Sequence, residues 1–174
     1  MTLAQAILNV YDYPGTLESF CAKNKKLKIL EINTAGSLTK FFEKMKNHVL
    51  AEYPEIDMLH LPYKEGSFDL VLHSDTLEHV ELPIKALSEC YRVLGKGGFM
   101  AYTVPPVVGR RNHRRTKKMK PSYHGAPGDD KGDYIVYTEY GDDLWVEPIM
   151  AGFNECRLTT IDYPSSVAIS SRKH

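Results

Sequence analysis

The chain has 174 residues, 43% apolar and 25% charged, a composition that predicts one globular domain able to bury a core. Its 22 lysines and arginines balance 22 aspartates and glutamates, so a general attraction for nucleic acid or anionic membrane is excluded. Cys21, Cys90 and Cys156 are odd in number and form no CxxC, no apolar run nears the ~20 residues of a membrane span, and "MTLAQAILNVYDYP" lacks a basic signal region. Free thiols, no metal site, no membrane span and a cytoplasmic location are therefore expected.

Residues 2–24 read as a helical lead-in, with Leu3, Ile7, Leu8 and Val10 on one face and a turn at Pro14-Gly15 before Leu17 and Phe20 resume the pattern. "LKILEIN" (27–33) is the first strand and "TAGS" a short turn. Leu38, Phe41, Phe42 and Met45 then fall at i, i+3, i+4, i+7, one face of a helix. "HVLAEY" (48–53) is a second strand and Phe68–Ser74 another. Pro83 suits the first turn of a helix whose stripe is Ile84, Leu87, Tyr91 and Leu94, and "GKGG" at 95–98 stops it. "FMAYTV" (99–104) is a strand ended by Pro105-Pro106. The polar segment 106–142 has no strong period, and 142–151 is a short helix that Pro148 kinks or breaks. "CRLTTIDY" (156–163) and "SVAIS" (166–170) close the chain as two strands joined by a Pro-Ser-Ser turn. Alternating strands and helices mean βαβ units and a mostly parallel sheet; the last two strands are too close for a crossover and pair antiparallel.

Two places carry chemistry. In "EINTAGS", Gly36 permits close backbone approach after strand 1, and Glu52, at the end of strand 2, is an apt acceptor for ribose hydroxyls. The same residues also make a plain tight turn and a surface glutamate. No GxGxxG is present, which argues against a dinucleotide and so against a nicotinamide-dependent reductase. The second place is "FDLVLHSDTLEHV" (68–80), where a buried strand ends in a polar cluster. Ligands of parallel sheets sit beyond such strand ends. The alternatives are that Asp75 caps a turn, Glu78 is solvated and His79 is a satisfied core histidine.

"LEINTAGSLTKFF", "AEYPEIDMLHLPY", "SFDLVLHSDTLEHV", "ECYRVLGKGGFMAYTVPP" and "PSYHGAPG…YTEYGDDLW…AGF" resemble, in order, the class I S-adenosylmethionine-dependent methyltransferases of the type 11 group. The resemblance implies a Rossmann-like α/β sandwich with an antiparallel last strand, one domain over 1–174 with 1–26 as lead-in and 106–142 as an inserted acceptor loop. It implies S-adenosylmethionine as cofactor and S-adenosylhomocysteine as product. Glu31, Asn33 and Gly36 would lie beneath the methionine part, Glu52 would take the ribose, and Asp57 with Met58 the adenine. His73, Ser74 and Asp75 would face the amino-acid end, and His79 the acceptor side. The family sheet has seven strands, but a crossover needs roughly 10–12 residues and five separate Glu52 from Asp57. A sheet trimmed around strands 2–3 is therefore expected, with strand 2 at or near an edge and one carboxylate serving for two. An exposed strand 2 edge invites pairing with a second copy.

"RRNHRRTKKMK" at 110–120 is a basic run beside this place, a candidate acceptor lid or else a solvated loop. Arg110 and Arg111 suit an anionic acceptor group, while nucleic acid is not expected because no aromatic residue interrupts the run. "PSYHG" presents Tyr123 to the acceptor and His124 as a base, alongside His79. The expected reaction is methyl transfer to a hydroxyl or amine of a small-molecule, sugar or lipid acceptor. The rival is a non-catalytic cofactor-binding or interaction protein on the same fold.

Overall fold

In the computed structural model, which describes residues 1–123, 135–162 and 166–174, the first two helices are α1 (Thr2–Val10) and α2 (Leu17–Lys23). Thr16 and Ser19 cap α2 reciprocally, each side chain bonding the other's backbone N–H. There follow β1 (Ile29–Ile32), a 3-10 turn at Gly36–Leu38, α3 (Thr39–Phe42) and β2 (His48–Ala51). Next come β3 (Phe68–Ser74), a 3-10 turn at Leu77–His79, α4 (Pro83–Val93) and β4 (Leu94–Thr103). The chain ends with β5 (His113–Arg114), β6 (Thr138–Glu139), α5 (Val146–Met150), β7 (Cys156–Ile161) and β8 (Ser166–Arg172).

Six strands form one sheet in the order β2-β1-β3-β4-β8-β7, with β8 antiparallel to both of its neighbours and the other contacts parallel. The edge position of β2 follows from chain length. Residues 52–67 hold neither helix nor strand, and among the described residues no strand pairs with the outer side of β2. Instead that segment is laced to α4: Arg92 donates to Tyr63 O at 2.7 Å and to Leu61 O at 2.9 Å, while Glu89 accepts from Leu61 N.

Side-chain alternation sorts the strands between two cores. Ile29, Leu70, Leu72 and Ala101 face α1, α2 and α3, where Ile7, Phe20 and Phe42 are buried. Leu30, Val71, Met100 and Tyr102 face α4 and α5 on the other side. The buried stripe of α4 is rotated from the expected one: Ala86, Leu87, Cys90 and Val93 meet the sheet, while Ile84 and Tyr91 flank it. Small residues at 86 and 90 let the helix approach closely.

The glycine run does not stop a helix before a later strand, as expected; β4 starts at Leu94 and contains it. Pairing jumps from Phe68↔Leu94 to Leu70↔Phe99, so residues 95–98 are accommodated as an irregularity. A Cβ on Gly98 would sit 2.9 Å from Gly95 O and 3.0 Å from Asp69 O, which explains glycine there.

The described parts of segment 106–142, residues 106–123 and 135–142, form a strap where the sequence shows no period. β5 pairs with β6, Pro106 bridges Tyr140 and Tyr123 bridges Ile135. Pro148 lies in the first turn of the one-turn helix α5, where its missing N–H costs nothing. The turn joining β7 to β8 falls at 163–165, outside the described residues. Among the described residues no helix is long and apolar enough to cross a membrane.

Candidate functional site

Two neighbouring parallel strands end in left-handed residues. After β1 comes Asn33 with φ +53°, and after β3 comes Asp75 with φ +48°. Asn and Asp tolerate this region best among non-glycine residues, and such backbone strain clusters at functional sites. The chain leaves the sheet sharply at both points, and between them opens a hollow of about 520 Å³.

Its walls come from separate segments. Asn33 Oδ1 accepts from Tyr53 N at 3.0 Å, setting Tyr53 at the rim, where it is 55% exposed. Asp57 begins a turn, with Oδ1 accepting from Leu59 N at 2.8 Å; Oδ2 has no partner among the described residues. Ile56, Met58 and Leu59 supply an apolar side. On the far side Asp75 accepts from the Ser74 hydroxyl at 3.1 Å and from Thr103 Oγ1 at 3.3 Å. His79 also lines the hollow, and its Nδ1–H donates to Ile135 O at 2.9 Å. A carbonyl can only accept, so the proton is on Nδ1 and Nε2 is the basic nitrogen.

The lining is electrically one-sided. Asp57, Asp75 and Glu81 belong to it, and among the described residues no lysine or arginine does. A second hollow of about 320 Å³ shares Ser74 and Asp75 as a partition, and hydroxyls of Thr2, Ser37, Thr103 and Ser166 line it.

Several expected site residues lie elsewhere. Glu31 is fully buried: its Oε1 accepts from Ala35 N at 2.7 Å and Thr39 Oγ1 at 2.5 Å, and its Oε2 from His48 Nε2 at 2.7 Å. Burial alone would raise this carboxyl; the hydrogen bonds from His48, Thr39 and Ala35 outweigh it and hold it below its ordinary range. Glu31 thus braces the loop from behind, because alternation points it into the sheet. Gly36 is in the turn with φ +58°, but no atom stands within 4 Å of where its Cβ would be, so the dihedral rather than close approach requires glycine. Glu52 is exposed and outside the wall that its neighbour Tyr53 joins.

His73 is also turned away. It is wholly buried and stacks on Tyr102 with ring centroids 4.6 Å apart. Neither ring nitrogen has a partner among the described residues, and burial pushes the ring down to about 3. A depressed histidine costs stability as pH falls below its unfolded value near 6.5, since only the unfolded chain takes the proton easily. His73→Leu, nearly equal in volume, is expected to raise stability by about 1–3 kcal/mol and to flatten the loss between pH 6.5 and 4. Urea titrations at pH 7 and pH 5 measure both; an unchanged pH slope contradicts it.

Three of the seven cations of the basic run are paired internally among the described residues. Arg110 pairs with Glu139 at 2.7 Å, Arg115 pairs with the same carboxylate, and Arg114 bonds Glu147 at 2.9 Å and Thr138 at 2.6 Å. Tyr140 OH also donates to Glu147, so the strap is riveted to α5. Arg110, Arg111 and Tyr123 line neither hollow, and all three are exposed. His124 lies outside the described residues.

The hollow therefore brings together Asn33, Asp57, Met58, Ser74, Asp75 and His79. Sequence reasoning missed Tyr53, Glu81 and Tyr137 in its wall. Only Tyr53 had a local signal, its place beside the end of strand 2; Tyr137 arrives from 58 residues beyond His79.

A family profile described as a methyltransferase domain matches residues 15–102. The chain is 36% identical over 63 residues to a probable S-adenosylmethionine-dependent methyltransferase of Mycolicibacterium smegmatis, a match covering 33% of this chain and 24% of that protein. The curated relatives are matched over about a quarter to a third of their own length, at 24%, 23% and 36%. Among solved structures, PigF with SAH is similar with a TM-score of 0.57 at 17% identity, covering 94% of this chain and 53% of that one. The cyclase SpnF is similar with a TM-score of 0.55 at 14% identity, covering 99% and 93%.

Proposed function

This chain belongs to the class I S-adenosylmethionine-dependent methyltransferases of the type 11 group, and on that premise we propose that it moves a methyl group from S-adenosylmethionine to a hydroxyl or amine of a small-molecule, sugar or lipid acceptor, leaving S-adenosylhomocysteine. The observation that carries this reading is the one-sided lining of the larger hollow, with three carboxylates and no lysine or arginine among its described residues. The donor set fits. S-adenosylmethionine bears a sulfonium, an ammonium, two ribose hydroxyls and an adenine amino group, and it has no phosphate. A dinucleotide would instead set its pyrophosphate charges against Asp57, Asp75 and Glu81.

Asp57 is the residue to hold the nucleoside, with its Oδ2 available and Met58 and Ile56 flanking it. Asp75, fixed by Ser74 and Thr103, sits towards the cationic end. When bound, S-adenosylmethionine supplies an already activated methyl group, so the protein's share is alignment, exclusion of water and removal of the acceptor proton. The last of these falls to His79 in this reading, since it lines the hollow.

A second reading, binding without transfer, draws on the single glycine in the first loop. The fold alone does not choose, since a cyclase shares it. Melting with S-adenosylmethionine at ~100-fold over its Kd is expected to show about 2.7 kcal/mol of added stability, and melting with NAD none. Incubation with labelled methyl donor then separates transfer from binding. No stabilisation by S-adenosylmethionine refutes both readings.

Asp57 and Glu52 can be told apart. Asp57→Asn is expected to weaken donor binding about 10–100-fold, the worth of a hydrogen bond to a charged acceptor. Glu52→Ala is expected to change it less than about twofold, because Glu52 lies outside the wall. Calorimetric titration of both variants decides; the reverse ranking would return the ribose role to Glu52.

A further inference from the structure

The outer edge of β2 has no part in the reaction proposed above. Its backbone alternates between two directions. Ile29 N donates to Asn47 O at 3.0 Å and Asn33 N to Ala51 O at 2.8 Å, so the odd-numbered residues turn their backbone groups towards β1. The N–H and C=O of His48, Leu50 and Glu52 therefore point outwards. Two of these six groups are occupied: His48 N donates to Met45 O at 3.3 Å, and Glu52 O accepts from Ile56 N at 2.9 Å. The other four, His48 O, both groups of Leu50 and Glu52 N, have no partner among the described residues. An unpaired strand edge of this kind is a template for another strand.

The four open groups match themselves across a two-fold axis. Let a second β2 lie antiparallel with Leu50 opposite Leu50. Each Leu50 N–H then meets the other Leu50 carbonyl, and each Glu52 N–H meets the carbonyl of the other copy's His48. Every open group is used, and neither occupied group is asked for a bond. A register that sets His48 opposite Leu50 would aim Leu50 O at His48 N, which Met45 O already holds. On this pattern we propose that the chain forms a homodimer through β2, joining its six-stranded sheet to that of a second copy around the Leu50 pair.

Side chains agree with the register. Residues 46, 48, 50 and 52 fall on one face. Leu50, only partly buried, meets its own copy as an apolar cross-strand pair. Exposed Lys46 lies diagonally across from the other copy's exposed Glu52, and symmetry repeats the contact. Neither residue enters an ion pair among the described residues. An in-register parallel arrangement would set lysine on lysine and glutamate on glutamate. The His48 ring is turned inwards to Glu31 and adds no charge to the edge. The opposite edge of the sheet is guarded: β7 carries Arg157, its side chain 59% exposed, and Asn9 of α1 donates to Thr159 Oγ1 at 3.4 Å. Pairing through β2 also holds from outside the segment that brings Tyr53 to the rim of the larger hollow.

The test is sedimentation equilibrium of the full chain, without methyl donor, up to about 100 μM, since so small an interface makes a concentration-dependent dimer. The mass is expected to rise from 19.7 kDa towards twice that value. Leu50→Pro removes an outward N–H and no bond to β1, and should weaken association at least about tenfold. Lys46→Glu and Glu52→Lys should each weaken it about 2–10-fold, and the two together in one chain should restore it. Amide hydrogen exchange on the wild-type chain needs no variant: the Leu50 and Glu52 amides should slow as concentration rises, while Thr159 in β7 does not. A monomer at every concentration, or a dimer whose Leu50 and Glu52 amides are unmoved, overturns the proposal. So does a Leu50→Pro protein that associates as wild type does. None of these readouts involves methyl transfer, so their failure leaves the function proposed above standing.

Discussion

Replacing His79 by alanine lowers kcat by about 10²–10⁴-fold and leaves S-adenosylmethionine affinity within about twofold. The range is what a positioned general base contributes. The split between rate and affinity follows from the proposed role: His79 lines the hollow, and its Nδ1 is tied to Ile135 O. The surfaces assigned to the nucleoside, Asp57 and the apolar run around it, lie on a different segment and keep their own hydrogen bonds. Loss of the ring removes the proposed proton acceptor and one tether of the strap, not the proposed donor seat. Steady-state rates with calorimetry of donor binding check it. A His79→Ala enzyme with normal kcat, or one whose only defect is donor binding, contradicts the assignment.

Replacing Glu31 by alanine destabilises the fold by about 3–5 kcal/mol, the usual cost of removing one partner from a buried charged network. One carboxylate here satisfies three donors: the Ala35 amide, the Thr39 hydroxyl and the His48 ring. It ties β1 to the following turn and to edge strand β2, which among the described residues has no neighbouring strand on its outer side. Without it those donors are buried and unmet. Burial favours the neutral acid, but the hydrogen bonds prevail and the folded carboxyl titrates below its ordinary range. The stabilisation is therefore complete above the unfolded value near 4.3 and disappears as pH falls through the lower folded value. Urea unfolding of both proteins from pH 7 to pH 3 should show the gap closing in acid. A gap under ~1 kcal/mol at pH 7 would mean that the network is not holding the loop.

These effects bear on how much was legible in the residues. The strands of the large sheet were, because β1 and β3 are mostly apolar and buried, interrupted only by Glu31, Asp69 and His73 and by the terminal Ser74, whereas β5 and β6 were not. So was the trimmed sheet: too few residues separate Glu52 from Asp57 for a crossover, and β2 duly ends the sheet. The irregular start of β4 was not legible, since the glycine run reads equally as a helix stop, and only the approach of Asp69 O to Gly98 shows its use.

Within the site, residue type and position along the chain marked the strand ends, and Asn33, Asp57, Ser74, Asp75 and His79 do share one hollow. What sequence alone left open was direction. Glu31 and His73 each stand two residues from Asn33 and Asp75, yet alternation and register turn them towards the two cores. The basic run likewise looked free until Glu139 and Glu147, 24 to 33 residues away, claimed Arg110, Arg114 and Arg115. Burial preference and chain reach are local quantities, written in a few neighbouring residues. Which way a side chain points, and which distant charge meets it, is fixed only when every strand has found its register and the return segments have packed.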